Sequence, residues 1–385
     1  MKRSITLPRL DGKLETYEFE DHAPFPEVSR PPLGRRVYAA AHVVADPLGD
    51  PVGTAAIDWE GTLAFRRHLW KLGFGVADAM DTAQRGMGLD TEAVRTLIDL
   101  TIRDSKAEGG DVVCGITTDE LVPDGSHSLD DIVRSYLDQL EFVEERGGSV
   151  VMMASRALVT VAHGPEDYAR VYEAVLSQAS RPVILHWLGP MFDPALAGYW
   201  GSADAWEAME SLLTIVTALA DRVDGVKVSM LDEELEVAFR RRLPDGVRCY
   251  TGDDFNYPTL IAGDEESHSD ALLGIFDGIA PAAAAAFQAL DAGDVESFHR
   301  ILEPTVPLSR HIFQTPTYHY KTGLTFLAYL NGHQSHFRMV GGQESSRSIL
   351  HLAELVRLAD RAGLLPDVDM VISRLTPVLQ TAGIH

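Results

Sequence analysis

From residue 36 the chain alternates between two hydrophobic periods. Short apolar runs of strand length are followed, again and again, by amphipathic stretches with apolar residues every three or four positions. The runs are "RVYAAAHVVAD" (36–46), "FGVADAMD" (74–81), "DVVCGITTDE" (111–120), "SVVMMASRALVTVA" (149–162), "PVILHWLG" (182–189), "VDGVKVSML" (223–231), "VRCYTGD" (247–253) and "DALLGIFD" (270–277). The segments between them, such as "DWEGTLAFRRHLWKLG" and "SLDDIVRSYLDQLEFVEERGG", open on Asp, Thr, Ser or Gly-Pro and several close on glycine. Those are the residues that satisfy the free N–H groups of a first helical turn and accept the left-handed conformation after the last. Repeated strand-then-helix units predict a (β/α)8 TIM barrel. An open doubly wound sheet would be expected to carry a glycine-rich phosphate turn after its first strand, and "VVADPLGDP" is not one.

The ends of the chain fall outside this repeat. The N-terminus alternates polar and apolar residues around Asp11-Gly12, which predicts a β-hairpin; with no apolar core segment behind Lys2 and Arg3, it does not read as a signal peptide. A Pro-rich connector, 23–36, leads into the barrel. Beyond about residue 304 no strand pattern returns, and "TGLTFLAYLNG", "SSRSILHLAELVRLADRAG" and "VDMVISRLTPVLQTAG" predict helices. The expected organisation is therefore hairpin and connector over 1–35, barrel over 36–303 and a C-terminal helical extension over 304–385.

Composition narrows the function classes. Of 385 residues, 57 are acidic and 33 basic, a net charge of −24 that would repel a phosphate backbone, so no nucleic-acid partner is expected. No apolar run approaches the roughly 20 residues of a membrane span. Cys114 and Cys249 lie inside apolar runs and read as small core residues in a reducing compartment, which places the protein in the cytoplasm.

Barrel enzymes of this type carry their chemistry at the C-terminal ends of the strands, so polar residues late in each run are the candidates. Lys227 is the most anomalous of them, since an ammonium inside a buried strand costs several kcal/mol unless it is paired or loses its proton. It is either a strand-end lysine paired with a carboxylate, or a desolvated neutral amine able to form a Schiff base. His186 ends the neighbouring run, about 4.8 Å away across the sheet, as a core histidine or a general acid-base. Asp81 and Thr82, and Gly252, Asp253 and Asp254, stand at two further tips, where substrate binding competes with helix capping. Arg156 interrupts the fourth run and can hold a substrate carboxylate by a bidentate pair or serve a structural ion pair. His333 and His336, three apart in "GHQSHF", have no carboxylate beside them and make a weak metal motif; "VGGQESS" reads as a plain helix start.

These residues resemble the dihydrodipicolinate synthase and N-acetylneuraminate lyase superfamily of class I aldolases. "DGVKVSML" is similar to its Schiff-base strand, "RPVILHWLGP" to its fifth strand and "VRCYTGDD" to the Gly-Asp-Asp segment of its seventh, while "ALDAGDVESFHRILEPTVPLSRHIF" follows its last barrel helix. The resemblance implies a barrel lyase with Lys227 as the imine-forming residue, no cofactor or metal, and a homo-oligomeric assembly, dimer or tetramer. The departures are specific. His186 replaces the family's strand-five tyrosine, "MDTAQRG" replaces its Gly-Thr-Thr-Gly-Glu turn with Thr82 as the remaining hydroxyl, and its paired tyrosines after strand four give way to "SRALVT". The expected function is a Schiff-base lyase or aldolase acting on a small ketone or 2-oxo acid, a range that includes sugar-derived ones, in a divergent branch. The alternatives are a divalent-metal-dependent barrel lyase or isomerase using Asp81, Asp254 and histidines, and a barrel that binds its ligand without turnover.

Overall fold

The computed structural model describes residues 3–28 and 30–385. Eight parallel strands, β3 (Val37–Ala40), β4 (Gly75–Asp78), β5 (Val112–Ile116), β6 (Ser149–Met152), β7 (Val183–Leu188), β8 (Val223–Ser229), β9 (Arg248–Thr251) and β10 (Asp270–Leu273), close into a barrel, with β10 pairing back onto β3. One strand lies inside each predicted apolar run. Before them an antiparallel hairpin, β1 (Ser4–Pro8) and β2 (Leu14–Glu18), turns at Gly12.

Successive side chains on a strand face opposite ways, so each strand divides its residues between the barrel interior and the surrounding helices. Tyr38, Val113, Val151, Ile184, Tyr250 and Leu272 cluster inside, while Val226 and Val228 of β8 join the outer core shared with the helices. The same alternation turns Lys227 inward. The N-terminal end of the barrel is closed by Tyr38 and Tyr250, whose rings lie 6.2 Å apart and whose hydroxyls donate to Asp111 at 2.8 Å and Asp224 at 2.6 Å. A Cβ on Gly225 would stand 2.7 Å from the Tyr250 ring, so glycine is what lets this plug form.

The fourth run departs from the expectation of a strand carrying Arg156. Strand β6 ends at Met152 and a short helix, Arg156–Val161, follows. Ser155 accepts from the Leu158 backbone N–H at 2.9 Å, and this local cap ends the extended conformation within an otherwise apolar stretch.

Past the barrel, helices Val306–Ile312, Tyr320–Leu330, Ile349–Arg361 and Val368–Thr381 form the extension. "VGGQESS" makes 3₁₀ turns over Val340–Ser346, with Gly341 and Gly342 at positive φ. The hairpin packs on helix Ile349–Arg361: Tyr17 donates to Asp360 at 2.7 Å, and Arg357 pairs with Glu15 at 2.8 Å and donates to the Pro8 carbonyl at 3.0 Å. Both cysteines are buried thiols. Among the described residues no helix is long and apolar enough to cross a membrane.

Candidate active site

The site is built from the C-terminal ends of β4, β7, β8 and β9. Lys227 on β8 stands in register with His186 on β7 and Tyr250 on β9. It is 5% exposed and makes no hydrogen bond or ion pair with any described residue. Burial lowers its amine below the usual lysine range, opposed at longer range by Asp81 and Asp254. His186, wholly buried, shares a hydrogen bond of 3.1 Å between Nε2 and the Ser229 hydroxyl, and its Nδ1 has no partner. Burial, and then Lys227, push its imidazole well below the ordinary range, so it is neutral at pH 7.

Gly252 shows why the lysine fits. Its peptide N–H donates to Val228 O at 2.7 Å, and a Cβ placed on it would meet the Ser229 hydroxyl at 2.2 Å and Lys227 Cε at 2.8 Å. The space a side chain would take is filled by the lysine stem. Gly252→Ala is therefore expected to displace Lys227 and to destabilise the fold by about 1–3 kcal/mol, the usual cost of overpacking. Urea unfolding and borohydride trapping read the two effects, and a variant with wild-type trapping would show that the stem does not need this gap.

Asp254 accepts from the Ile275 backbone N–H at 2.8 Å, and burial raises its carboxyl to about 8. Burial thus moves Asp254 and Lys227 toward their uncharged forms, the direction a low-dielectric site favours for both. Asp253 instead accepts from the Phe255 and Asn256 backbone N–H groups at 2.8 and 2.9 Å, which makes it the turn cap that sequence alone left open.

On the opposite side of the mouth, β4 ends at Asp78 and Ala79 turns with φ +51 into the 3₁₀ turn Asp81–Ala83. Asp81 accepts 2.7 Å from the Tyr320 hydroxyl, which also lies 2.7 Å from Thr82 Oγ1. A phenol has one proton to give; since it goes to Asp81, Thr82 must donate to Tyr320. Burial and the Asp81 charge raise the Tyr320 phenol well above its usual range. Lys321 Nζ lies 3.9 Å from Asp81 and donates to Tyr318 O at 3.1 Å. Burial tends to raise the Asp81 carboxyl, but Lys321 and the Tyr320 hydrogen bond act against it, and the carboxyl lies below the ordinary carboxylate range.

A cavity of about 140 Å³ opens at the mouth, bounded among others by Asp81, Thr118, Arg156, Phe192 and Lys321. Arg156 pairs with Asp193 at 2.6 Å while keeping 45% of its side chain exposed. Lys227 is not on the cavity wall. An aromatic group spans the mouth: Tyr320 stacks on Phe313 at 4.3 Å, and both meet Phe192 edge-on at about 6 Å. Among the described residues no three His, Cys, Asp or Glu side chains are placed to hold a metal ion.

Across residues 5–384 the chain matches the family described as "Protein of unknown function (DUF993)". It belongs to the DUF993 family. No curated protein matches it. Its fold is similar to that of YagE, a prophage protein of the dihydrodipicolinic acid synthase family from E. coli K12 solved in complex with pyruvate: 14% identity, 86% of this chain and 99% of that one covered, TM-score 0.67. Dihydrodipicolinate synthase from Aquifex aeolicus is similar at 11% identity, with 86% and 99% covered and a TM-score of 0.65. The enzyme from Oceanobacillus iheyensis gives 15%, 84% and 96%, and 0.62. At these identities the likeness is one of fold.

In this DUF993 member the structure gathers Lys227, His186, Gly252, Asp254, Asp81 and Thr82 at one end of the barrel, with Arg156 on the cavity wall. Sequence reasoning missed Tyr320, Lys321 and Ser229. Ser229 was within reach, two residues after Lys227 and so on the same face of the strand. Tyr320 carried no local signal, because its contact with Asp81 spans 239 residues. His333 and His336 lie in the turn after helix Tyr320–Leu330, where the His333 ring packs against His68 and Phe65.

Proposed function

We propose that the protein is a lyase or aldolase that forms a Schiff base between Lys227 and a small ketone or 2-oxo acid. The observation that carries this reading is an inward-facing, buried and unpaired lysine in register with a neutral histidine, with Gly252 leaving room for its stem. The unprotonated amine attacks the substrate carbonyl to give a carbinolamine, which takes up a proton and loses water to leave a protonated imine. That imine accepts the electron pair of the adjacent bond as it breaks, or the derived enamine donates the pair as a bond forms. Hydrolysis returns the free lysine.

Two groups are suited to the proton movements. Neutral His186 has an open Nδ1, and the Thr82–Tyr320–Asp81 chain links a hydroxyl pair to a carboxylate. On this reading the helical extension completes the site, and Arg156 with Lys321 meets the substrate carboxylate in the outer cavity. Because Lys227 lies off the cavity wall, substrate reaches it by moving the aromatic group of Tyr320, Phe313 and Phe192.

Incubation with pyruvate and borohydride tests the proposal. The reduced adduct should appear on the peptide containing 221–232; adduct on Lys321 instead would reassign the nucleophile. Tyr320→Phe is expected to retain trapping while slowing turnover by about 10²- to 10⁴-fold, the range for a lost proton-transfer group. Turnover at the wild-type rate would remove Tyr320 from the chemistry.

A further inference from the structure

Glu236 is a buried carboxyl that no step of the Schiff-base chemistry uses. It lies on helix Glu233–Arg240, which packs behind β9, and it is 0% exposed, as are Thr251 and Ser269 beside it. Its helix neighbours Leu235 and Phe239 are just as buried and are apolar. Arg240, one turn further on, is taken by Asp264 at 2.6 Å. Burial raises the Glu236 carboxyl to about 8, against the hydrogen bonds it receives from Ser269 and Thr251. Stability alone would favour an apolar side chain at such a position.

Its oxygens are aimed at the strand that ends in the candidate site. Oε1 accepts from the Ser269 hydroxyl at 2.7 Å and Oε2 from the Thr251 hydroxyl at 3.1 Å. Thr251 is the last residue of β9, in register with Val228, and so it faces the helices, whereas Gly252 after it faces Lys227. A hydroxyl has one proton: giving it to Glu236 leaves the Thr251 lone pairs for the Asp253 backbone N–H, which donates at 3.2 Å. Helix, strand end and turn are thus joined through one oxygen. The turn held in this way carries Gly252, where a Cβ would stand 2.8 Å from Lys227 Cε, and Asp254, whose charge acts on the amine.

We infer that Glu236 is a positioning residue for Lys227, acting through Thr251 to hold the Gly252–Asp253–Asp254 turn against the lysine stem. Its meaning for catalysis rests on the Schiff-base reading, while its effect on the amine does not. Burial is the main cause that lowers the Lys227 amine, so a turn that loosens and admits water beside the stem lets it return toward the usual lysine range. A carboxyl serves here where a leucine would not, since only an acceptor fixes which way the Thr251 proton points.

The chain has six lysines, so NMR of the full-length protein carrying isotope-labelled lysine gives few Cε signals, and the one absent from Lys227→Ala reports the Lys227 titration without any substrate. Thr251→Val, which keeps the shape and loses the hydroxyl, should raise that titration by about one pH unit, and Glu236→Leu should do the same. Below the titration each pH unit leaves about tenfold less free amine, so trapping with pyruvate and borohydride should slow about tenfold in both. Thr251→Ser keeps the hydroxyl and Glu236→Gln keeps an acceptor, and each should titrate and trap as the wild type does. Should Thr251→Val or Glu236→Leu fail to fold, the other decides, since each removes one end of the same hydrogen bond. A merely structural role would lower the urea midpoint of these variants and leave the Lys227 titration in place. An unmoved or lowered titration in the folded variant, or Thr251→Ser displaced as far as Thr251→Val, would overturn the inference. A raised titration in Thr251→Val, with no trapping even in the wild type, would uphold it and discard the Schiff-base reading instead.

Discussion

Lys227→Ala is expected to lose borohydride trapping and turnover together. No other described lysine lies inside the barrel beside His186, and the covalent step needs a nitrogen lone pair on the strand tip. Lys227→Arg should fail as well, because a guanidinium stays protonated and cannot act as this nucleophile. His186→Ala should behave differently, slowing turnover by about 10²- to 10⁴-fold while part of the trapping survives. That asymmetry separates the nucleophile from a group that moves protons. Full activity in Lys227→Ala would sink the Schiff-base reading and favour chemistry centred on Asp254.

The same experiment has a pH arm. Trapping requires the free amine and so rises with pH through the lysine's lowered titration. As pH passes about 8 in the wild type Asp254 ionises, and its charge favours the ammonium, opposing further deprotonation. Asp254→Asn removes that opposition, so its trapping curve should rise more steeply and lie at lower pH. A curve displaced to higher pH would contradict the pairing.

Arg66→Met is expected to cost about 3–5 kcal/mol of stability, the loss typical of breaking a buried ion pair by removing one partner. Arg66 and Asp78 are both fully buried and meet at 2.7 Å, and the guanidinium also donates to the carbonyls of His42 at 2.6 Å and Thr62 at 3.1 Å. Removing it strands a carboxylate in the core. Asp78 Oδ1 also accepts from the Ala79 N–H at 2.9 Å, at the residue whose positive φ turns the chain toward Asp81. Urea unfolding of Arg66→Met and of Arg66→Met with Asp78→Leu measures the effect, and the double variant should recover most of the loss because no charge is left unpaired. A single-variant loss below about 1 kcal/mol would mean that the pair behaves like a surface salt bridge.

The barrel was legible because its signals are local. Strand and helix periods are properties of neighbouring residues, and each of the eight apolar runs holds one strand of the closed sheet. Lys227 stood out for the same reason: a charge among Val223, Val226 and Val228 contradicts its surroundings whatever lies across the barrel. Arg156 was misplaced at the same level, since hydrophobicity alone cannot separate a strand from the short helix that Ser155 caps.

The residues of the chain by themselves thus determined the repeat, a lysine within an apolar strand and the histidine one strand away, because strand and helix periods are local; that the lysine faces inward was decided by the closed barrel. Tertiary structure alone decided what completes the site. Helix Tyr320–Leu330 folds back over the barrel and brings the Tyr320 hydroxyl to Asp81 and Thr82, and loops far apart in sequence supply Phe192 and Phe313 beside it. No periodicity encodes such contacts, because they depend on how whole elements pack once the loops between them have closed.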